Sequence, residues 1–319
     1  IGVSSGRDAL IMALMALRIG PGDGVFVPAL TFSATAGAVA AAGAVPVFVD
    51  IDPDTCNMSA AALEQAVDRT LRQRMLCPKA VMPVDLYGLP ADYRSIYAVA
   101  DAYGLLVIAD GAQSFGASYG GCRVGGLAAV TGTSFYPTKP LGAFGDAGAV
   151  LTDDDEIAEA VRRIRNHGVR GSGDVAEQIG MTGRLDTLQA AVLLAKLETF
   201  DARLATCARM ADRYTCLLRS CVVTPSVPHG SASAWALYTI RTKQRDDLRQ
   251  KLAEAGIDTG IYYRVPLHQH PAFRAYLTGS EKLPVSERAA NEVLSLPLHP
   301  GLQDADVDHI CEMVAELVS

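Results

Sequence analysis

The sequence has 319 residues, of which 50% are hydrophobic and 20% charged, a composition typical of roughly two folded domains rather than a disordered chain. The formal net charge of −7 argues against a broad nucleic-acid-binding face, because such faces are basic, but it does not exclude a local anion pocket. Seven cysteines without a Cys-x-x-Cys pair indicate reduced thiols in a cytoplasmic protein, rather than a disulfide framework or a zinc ribbon.

An uncharged stretch at 24–49 has to be distinguished from a membrane span. It contains Pro28 and Pro46 and is rich in alanine, whereas a spanning helix needs about 20 strongly apolar residues. A short strand, an alanine-rich helix and a second strand fit it better, and no signal-peptide start precedes it. Because the chain opens at Ile1 in what reads as the middle of a fold, we expect that an N-terminal segment is missing.

Strand-like and helix-like runs alternate along most of the chain. In chain order, the patterns predict helices at 9–19, 33–42, 60–71, 91–102 and 155–165, and strands at 25–27, 45–49, 80–84, 105–109, 133–136 and 149–151. This alternation predicts a mostly parallel sheet covered by helices on both faces. In such sheets, ligands bind where the carboxyl ends of strands meet helix starts.

The last third of the chain has a different pattern. One long helix is predicted at about 186–218, followed by a strand at 237–242 and helices at 246–255 and 305–318. We therefore divide the chain into a large α/β domain, 1–218, and a small α+β domain, 219–319.

Two residues in the large domain stand out for their chemistry. Asp110 ends a hydrophobic strand, where a carboxylate is costly unless it has a cationic partner. Lys139 lies between Pro137 and Pro140, which stiffen the backbone, so it could be held beside a cofactor carbonyl to form an imine. Taken singly, Asp110 could equally cap a helix or pair with an arginine, and Lys139 could be a solvated surface lysine. The two residues together indicate a cofactor site more specifically than either residue does alone.

Two further segments could contact a ligand. The run from Ser4 to Leu10 starts a helix, whose free N–H groups could bind phosphate, although an ordinary serine N-cap explains it equally well. Phe32 follows a strand and could stack on a ring, or it could be a core aromatic.

Several motifs then occur in order along nearly the whole chain. They are Ser5-Gly6-Arg7-Asp8-Ala9-Leu10, Gly20-Pro21-Gly22-Asp23, Leu86-Tyr87-Gly88, Asp110-Gly-Ala-Gln113, Ser134-Phe-Tyr-Pro-Thr-Lys139, Arg165-Asn166-His167-Gly168 and Gly183-Arg184-Leu-Asp-Thr-Leu-Gln189. With these motifs the sequence resembles the pyridoxal-phosphate sugar aminotransferases of the DegT/DnrJ/EryC1/StrS group. The resemblance implies fold type I of the pyridoxal-phosphate transferases, with a mostly parallel central sheet flanked by helices and a small C-terminal α+β domain.

The resemblance also implies a role for each matching residue. Lys139 would form the imine with pyridoxal 5′-phosphate, and Asp110 would pair with the protonated pyridine nitrogen. The other implied cofactor contacts are stacking by Phe32, a hydrogen bond from Gln113 to the phenolic oxygen, and phosphate binding by Gly6, Arg7 and Ser134. In this family the segment 180–184 reaches into the site of a partner subunit, which implies a homodimer with shared active sites.

Two positions depart from the family pattern. Arg7 stands where the family usually has threonine, and it could add a charged phosphate contact or crowd the pocket. Thr182 stands where asparagine is usual, and its hydroxyl could still donate to phosphate. A related dehydratase branch has histidine in place of the lysine, so Lys139 argues against that activity.

The finer resemblance concerns the substrate. Lys139-Pro140-Leu141-Gly142, Tyr262-Tyr263, Pro266-Leu267-His268 and Leu296-Pro297-Leu298-His299-Pro300 look like one branch. That branch aminates nucleotide-linked 3-keto N-acetyl hexuronic acids for surface polysaccharide (O-antigen) synthesis, with L-glutamate as donor. Arg184 and His268 would then contact a carboxylate, since arginine can bond it twice. Alternatively, Arg184 forms a structural salt bridge and His268 is a loop histidine.

Two other functions and a metal site are alternatives to this assignment. A non-catalytic fold-type-I homologue that binds cofactor or a partner is the main alternative, motivated by Arg7 and Thr182. A cysteine desulfurase needs a reactive loop cysteine, and none of the seven has an activating neighbour. His268 and His270 could suggest a metal, but no third ligand is suitably spaced.

Overall fold

The computed structural model describes residues 1–171, 173–277 and 281–318. Its strands are β1 Gly2–Val3, β2 Asp23–Pro28, β3 Val45–Val49, β4 Cys77–Val81, β5 Leu106–Asp110, β6 Ser118–Tyr119, β7 Cys122–Arg123, β8 Val130–Ser134, β9 Gly148–Leu151, β10 Ser231–Ala232, β11 Tyr238–Arg241 and β12 Val293–Leu296. Its helices are α1 Gly6–Ala16, α2 Ser33–Ala41, α3 Ala60–Gln73, α4 Tyr93–Tyr103, α5 Asp155–Ile164, α6 Thr187–Leu197, α7 Phe200–Leu218, α8 Arg245–Glu254, α9 Pro284–Glu292 and α10 Asp304–Val318.

A seven-stranded sheet in the order β1-β9-β8-β5-β4-β2-β3 forms the centre of the molecule. The five strands from β3 to β8 pair in parallel, whereas β9 is antiparallel to both of its neighbours. The sheet is buried on both faces, as side chains of one strand show: Val25 and Val27 join the core beneath α1 and α2, and Phe26 joins the core beneath α3 and α4. The predicted mostly parallel sheet between helices is confirmed.

A hydrophobic cluster in the C-terminal part of the chain includes the last turns of α7. Met210, Tyr214 and Leu218 pack with the antiparallel pair β11–β12 and with α10. This helix therefore connects the sheet region to the C-terminal core. The division of the chain at 218 stays a prediction.

The long helix predicted at 186–218 is wrong, because the chain forms α6 and α7 instead. Thr199, with φ −111° and ψ 5°, interrupts the helical backbone. The next residue, Phe200, is 4% exposed and packs its ring 5.5 Å from that of Phe115. Burial of this aromatic side chain redirects the helix.

Several predicted boundaries also shift. Helix α1 begins at Gly6, before the helical pattern at 9–19 and within the run Ser4–Leu10 that was expected to start a helix, because the Ser5 side chain accepts a hydrogen bond from Asp8 N and caps it. The strand predicted at 80–84 is β4, Cys77–Val81, and the strand predicted at 133–136 is β8, Val130–Ser134. The sequence patterns placed these three elements in the right order, but they located their ends poorly.

No helix among the described residues is long and apolar enough to cross a lipid bilayer. Within the same ranges, no group of three or more histidine, cysteine or acidic side chains is placed to hold a metal ion.

Candidate active site

A cavity of about 770 Å³ opens at the carboxyl edge of the central sheet, where β5 and β8 end and α1 and α2 begin. This is the position that parallel-sheet topology favours for a ligand. Seven of the ten site residues named from the sequence line it: Gly6, Arg7, Phe32, Asp110, Gln113, Ser134 and Lys139.

Asp110 is the buried acid of this cavity. It is 4% exposed, and its carboxylate accepts hydrogen bonds from Thr35 Oγ1 at 2.7 Å and from Ala112 N at 3.2 Å. Burial raises the pKa of the Asp110 carboxyl, and the positive charge of Lys139 acts in the opposite direction. Among the described residues no arginine pairs with Asp110, so one cationic partner is left to come from a ligand.

Lys139 lies in a tight turn after β8. Its N–H donates to the carbonyl of Tyr136 at 2.8 Å, which closes the turn and holds the side chain over the end of the sheet. Burial lowers the pKa of the Lys139 ammonium, opposed by the charge of Asp110. A partly buried lysine with a lowered pKa has a larger fraction of free amine, which is the nucleophilic form. Lys139 is therefore not a fully solvated surface lysine.

Gln113 is fixed in one amide orientation by two neighbours. Its Oε1 accepts from Tyr87 N at 2.7 Å, and its Nε2 donates to the hydroxyl of Tyr263 at 3.3 Å. Because the backbone N–H can only donate, the oxygen must face Tyr87 and the NH₂ must face the cavity. Gln113 thus presents a donor to any ligand oxygen bound there.

Phe32 is not a core aromatic. It is 56% exposed at the start of α2, and its ring centroid lies 5.9 Å from that of Tyr263. An exposed aromatic face on a ligand cavity suits stacking on a planar ring.

The start of α1 and Ser134 form an anion cradle. A Cβ at Gly6 would lie 2.5 Å from Ser134 Cβ, so only glycine permits this close approach. Ser5 Oγ accepts a hydrogen bond from the N–H of Asp8. Among the described residues the N–H groups of Gly6 and Arg7 have no partner. Free N–H groups at a helix start bind phosphate.

The side chain of Arg7 lies along α2. Its guanidinium donates to the carbonyl of Gly37 at 3.3 Å, and the residue is exposed. Arg7 therefore contributes its backbone N–H to the cradle, and its guanidinium lies outside the cradle.

Three predicted residues are not brought into this cavity. Thr182 Oγ1 forms a hydrogen bond with His167 Nε2 at 3.1 Å, and Arg184 donates to Asn166 Oδ1 at 2.8 Å; both residues are exposed. His268 is 6% exposed, forms a hydrogen bond with Glu287 at 3.0 Å and is not among the residues that line the cavity.

Three residues around the cavity were not assigned a role from the sequence. Thr35 bonds Asp110, Tyr87 orients Gln113 through its N–H, and Tyr263 packs against Phe32. The motifs containing Tyr87 and Tyr263 were visible as markers, but their contacts join residues far apart in the chain.

A sequence model described as the DegT/DnrJ/EryC1/StrS aminotransferase family matches residues 1–315. The chain belongs to this family. The UDP-2-acetamido-2-deoxy-3-oxo-D-glucuronate aminotransferase of Pseudomonas aeruginosa is 45% identical over 314 residues, covering 98% of this chain and 84% of the relative. A DegT DnrJ EryC1 StrS aminotransferase from Brucella abortus has a TM-score of 0.97 at 45% identity, over 100% of this chain and 86% of that one.

A third relative carries the cofactor. The structure of ntda from Bacillus subtilis with bound cofactor PMP, the amine form of pyridoxal phosphate, has a TM-score of 0.90 at 32% identity, over 100% of this chain and 73% of that one. The predictions of fold type I, of a sugar-nucleotide aminotransferase and of pyridoxal phosphate as the cofactor are confirmed by the family.

The residues present fit this cofactor. The partnerless N–H groups of Gly6 and Arg7 beside Ser134 suit its phosphate, and the buried Asp110, which lacks a cationic side-chain partner, suits its pyridinium nitrogen. Lys139 lines the same cavity.

Proposed function

We propose that this aminotransferase moves the amino group of L-glutamate to the ketone of a UDP-linked 3-keto N-acetyl hexuronic acid, for polysaccharide (O-antigen) synthesis in the cytoplasm. The observation that carries the proposal is the grouping of Lys139, Asp110 and Gln113 around one cavity. The substrate class rests on the Pseudomonas aeruginosa relative named above. In outline, the ketone oxygen is replaced by the donor's nitrogen, and glutamate leaves as 2-oxoglutarate.

Each cavity residue has a proposed task in holding pyridoxal phosphate. Gly6 and Arg7, through their backbone N–H groups, and Ser134 hold the phosphate. Phe32 stacks on the ring, and Gln113 donates to the phenolic oxygen. When bound, the cofactor supplies an electron sink for the pair released when a C–H bond next to nitrogen breaks.

Asp110 and Lys139 are the proposed catalytic residues. Asp110 would face the pyridine nitrogen of the cofactor, where a buried carboxylate stabilises the protonated form. Lys139 would hold the cofactor through its ε-amine, and the same amine would take up and return the substrate's proton. The lowered pKa of Lys139 favours the free amine that this step needs.

The exposed positions of Thr182 and Arg184 support a homodimer with shared active sites. Thr182 and Arg184 do not line the cavity of their own chain. We propose that they contribute to the cavity of the partner subunit. There Thr182 would meet the cofactor phosphate, and Arg184 would bond a substrate carboxylate in a bidentate manner.

Several large apolar side chains are exposed on helix α6 and elsewhere on the molecule. Helix α6 buries only Leu193, yet Leu188 is 79% exposed and Leu194 is 67% exposed, with Ile179 (84%) and Phe144 (75%) also exposed. Apolar side chains exposed together mark an interaction surface. A second copy of the chain is the occupant that would also bring Thr182 and Arg184 to a cavity.

The proposed function is tested by the half-reaction with glutamate. The purified holoenzyme should show a visible absorption band that is absent in Lys139→Ala, and L-glutamate should convert it to the band of the amine form. A holoenzyme that keeps its band unchanged with glutamate and with other amino donors would instead be a non-catalytic homologue.

A further inference from the structure

A second cavity, of about 230 Å³, lies against the turn that carries Lys139. Its walls come from the turn 137–140, from α7, from the segment 234–236 before β11 and from the segment 298–300 after β12. Lys139 and Thr138 line both this cavity and the larger one. Both spaces therefore adjoin the residue at which we place the chemistry.

The lining of the second cavity is basic. Apart from Lys139, which lines both cavities, it contains Arg203 and His299 and no aspartate or glutamate, whereas the larger cavity is lined by Asp8, Asp110 and Asp146 beside Arg7. A concave site with charges of one sign concentrates ligands of the opposite sign. The second cavity thus suits an anion.

In the described part of the chain, Arg203 lacks the carboxylate partner that the other two arginines of α7 find on α10. Arg209 pairs with Asp304 at 2.5 Å, and Arg213 pairs with Asp308 at 2.6 Å. Among the described residues, no carboxylate pairs with Arg203. Its guanidinium is free to bond a carboxylate in the bidentate geometry that arginine favours.

His299 and Trp235 complete the walls. His299 Nδ1 accepts from Gly301 N at 3.2 Å, so the neutral ring carries its proton on Nε2, a second donor without a partner in the described ranges. The backbone N–H of Trp235 donates to Ser233 Oγ at 3.0 Å, and the centroid of its ring lies 5.8 Å from that of Tyr238. These contacts fix the wall before any ligand arrives.

We propose that the second cavity binds a carboxylate of the amino donor, with Arg203 and His299 as its ligands. This proposal rests on the proposed function. The cavity is smaller than the roughly 300–1,000 Å³ of sites for drug-sized ligands, so it suits a small dicarboxylate better than a whole nucleotide sugar. The keto acid formed from the donor carries the same carboxylates, and the uronic sugar is the other source; the experiment separates the donor from the sugar.

The test compares Arg203→Ala and Arg203→Lys with the wild-type holoenzyme. We expect Arg203→Ala to raise the glutamate concentration that half-saturates the half-reaction by at least about tenfold, with partial recovery in Arg203→Lys and the KM for the keto sugar nucleotide unchanged. Arg209→Ala is the matched control, since Arg209 lies on the same helix outside the cavity and should leave both constants unchanged.

Binding of glutarate, an unreactive dicarboxylate, to the same holoenzymes gives a readout that needs no turnover. Calorimetry should show weaker glutarate binding in Arg203→Ala and His299→Gln than in the wild type. Unchanged glutamate and glutarate constants would overturn the proposal, as would a rise confined to the KM of the sugar. A wild type that binds glutarate through Arg203 but does not react with glutamate would uphold the subsite and refute the proposed function.

Discussion

At the scale of single residues, Asp110 and Lys139 were singled out from the sequence, because a carboxylate at the end of a hydrophobic strand is costly and because Lys139 lies in a turn stiffened by two prolines. Their supporting contacts could not be found in this way. Thr35 reaches Asp110 across 75 residues, and the Gln113 amide is oriented by Tyr87 across 26. Such pairings depend on the order of the strands in the sheet, which no local pattern in the sequence contains.

Asp110→Asn should remove the charge opposite the pyridine nitrogen while keeping the shape of the side chain. Thr35 can still donate to the amide oxygen, so we expect the fold to be retained. Loss of this one preorganised electrostatic contact should slow the glutamate half-reaction by about 100-fold or more, as measured by stopped-flow absorbance. A rate within threefold of the wild type would show that Asp110 does not hold that proton.

Asp85 should make stability depend on pH. It is fully buried, and burial raises the pKa of its carboxyl from 3.8 to about 6, although Ser114, Ala91 N and Tyr93 all donate to it. Because the folded state holds this proton more tightly than the unfolded state, the free energy of unfolding falls as pH rises from about 4 to about 6.

Asp85→Asn removes that dependence, since Ser114 Oγ can accept from the new amide. We expect the variant to gain stability relative to the wild type by roughly 3 kcal/mol across this pH range. Urea unfolding of the apoproteins at several pH values measures the difference. Parallel stability curves from pH 4 to pH 7 would refute the assignment.

At the scale of elements, the sequence located helices with strong local signals and missed those held by distant partners. Helix α9 was not predicted, because its start is capped by Asp50, which accepts from Val285 N at 3.0 Å and Ser286 N at 2.8 Å. Strand β12 is buried at every position and therefore has no alternating pattern.

The turn Leu86–Gly88 is also held by partners that are distant in the sequence. Gly88 has φ +100°, and a Cβ there would lie 2.7 Å from Trp235 N. The turn therefore joins the sheet region to the segment before β11 while Tyr87 N–H orients Gln113.

Gly88→Ala should displace this turn. We expect a loss of more than about 1 kcal/mol in stability, a shifted cofactor absorption band and a transfer rate at least about tenfold lower. Gly104→Ala is the matched control, because Gly104 also has positive φ, +68°, but nothing lies within 4 Å of its Cβ position. Equal losses of activity in both variants would show that the turn does not support Gln113.

At the scale of the whole molecule, the layered α/β fold followed from the alternation of strand-like and helix-like runs, but the placement of Thr182 and Arg184 did not. Motif resemblance assigned Thr182 and Arg184 to the site, whereas the structure puts them outside this chain's cavity. The proposed partner subunit would reconcile the two findings, and the local sequence pattern carries no direct signal for it.

Leu194→Glu should weaken the proposed dimer, because it places a charge on the apolar face of α6. Light scattering should show a shift towards monomer, and activity should fall with it. Met75→Glu is the control, since Met75 is 77% exposed just after α3. Full activity in a monomeric Leu194→Glu protein would contradict shared active sites.

The central claim is that Lys139 carries amino transfer from glutamate to a 3-keto sugar nucleotide. The most direct measurement is mass spectrometry of UDP-linked 3-keto N-acetyl glucuronic acid after incubation with the holoenzyme and glutamate labelled with heavy nitrogen. We predict a 3-amino sugar nucleotide carrying the label, together with 2-oxoglutarate, and neither product with Lys139→Ala. Unlabelled, unchanged keto sugar after incubation with the wild type would contradict the account.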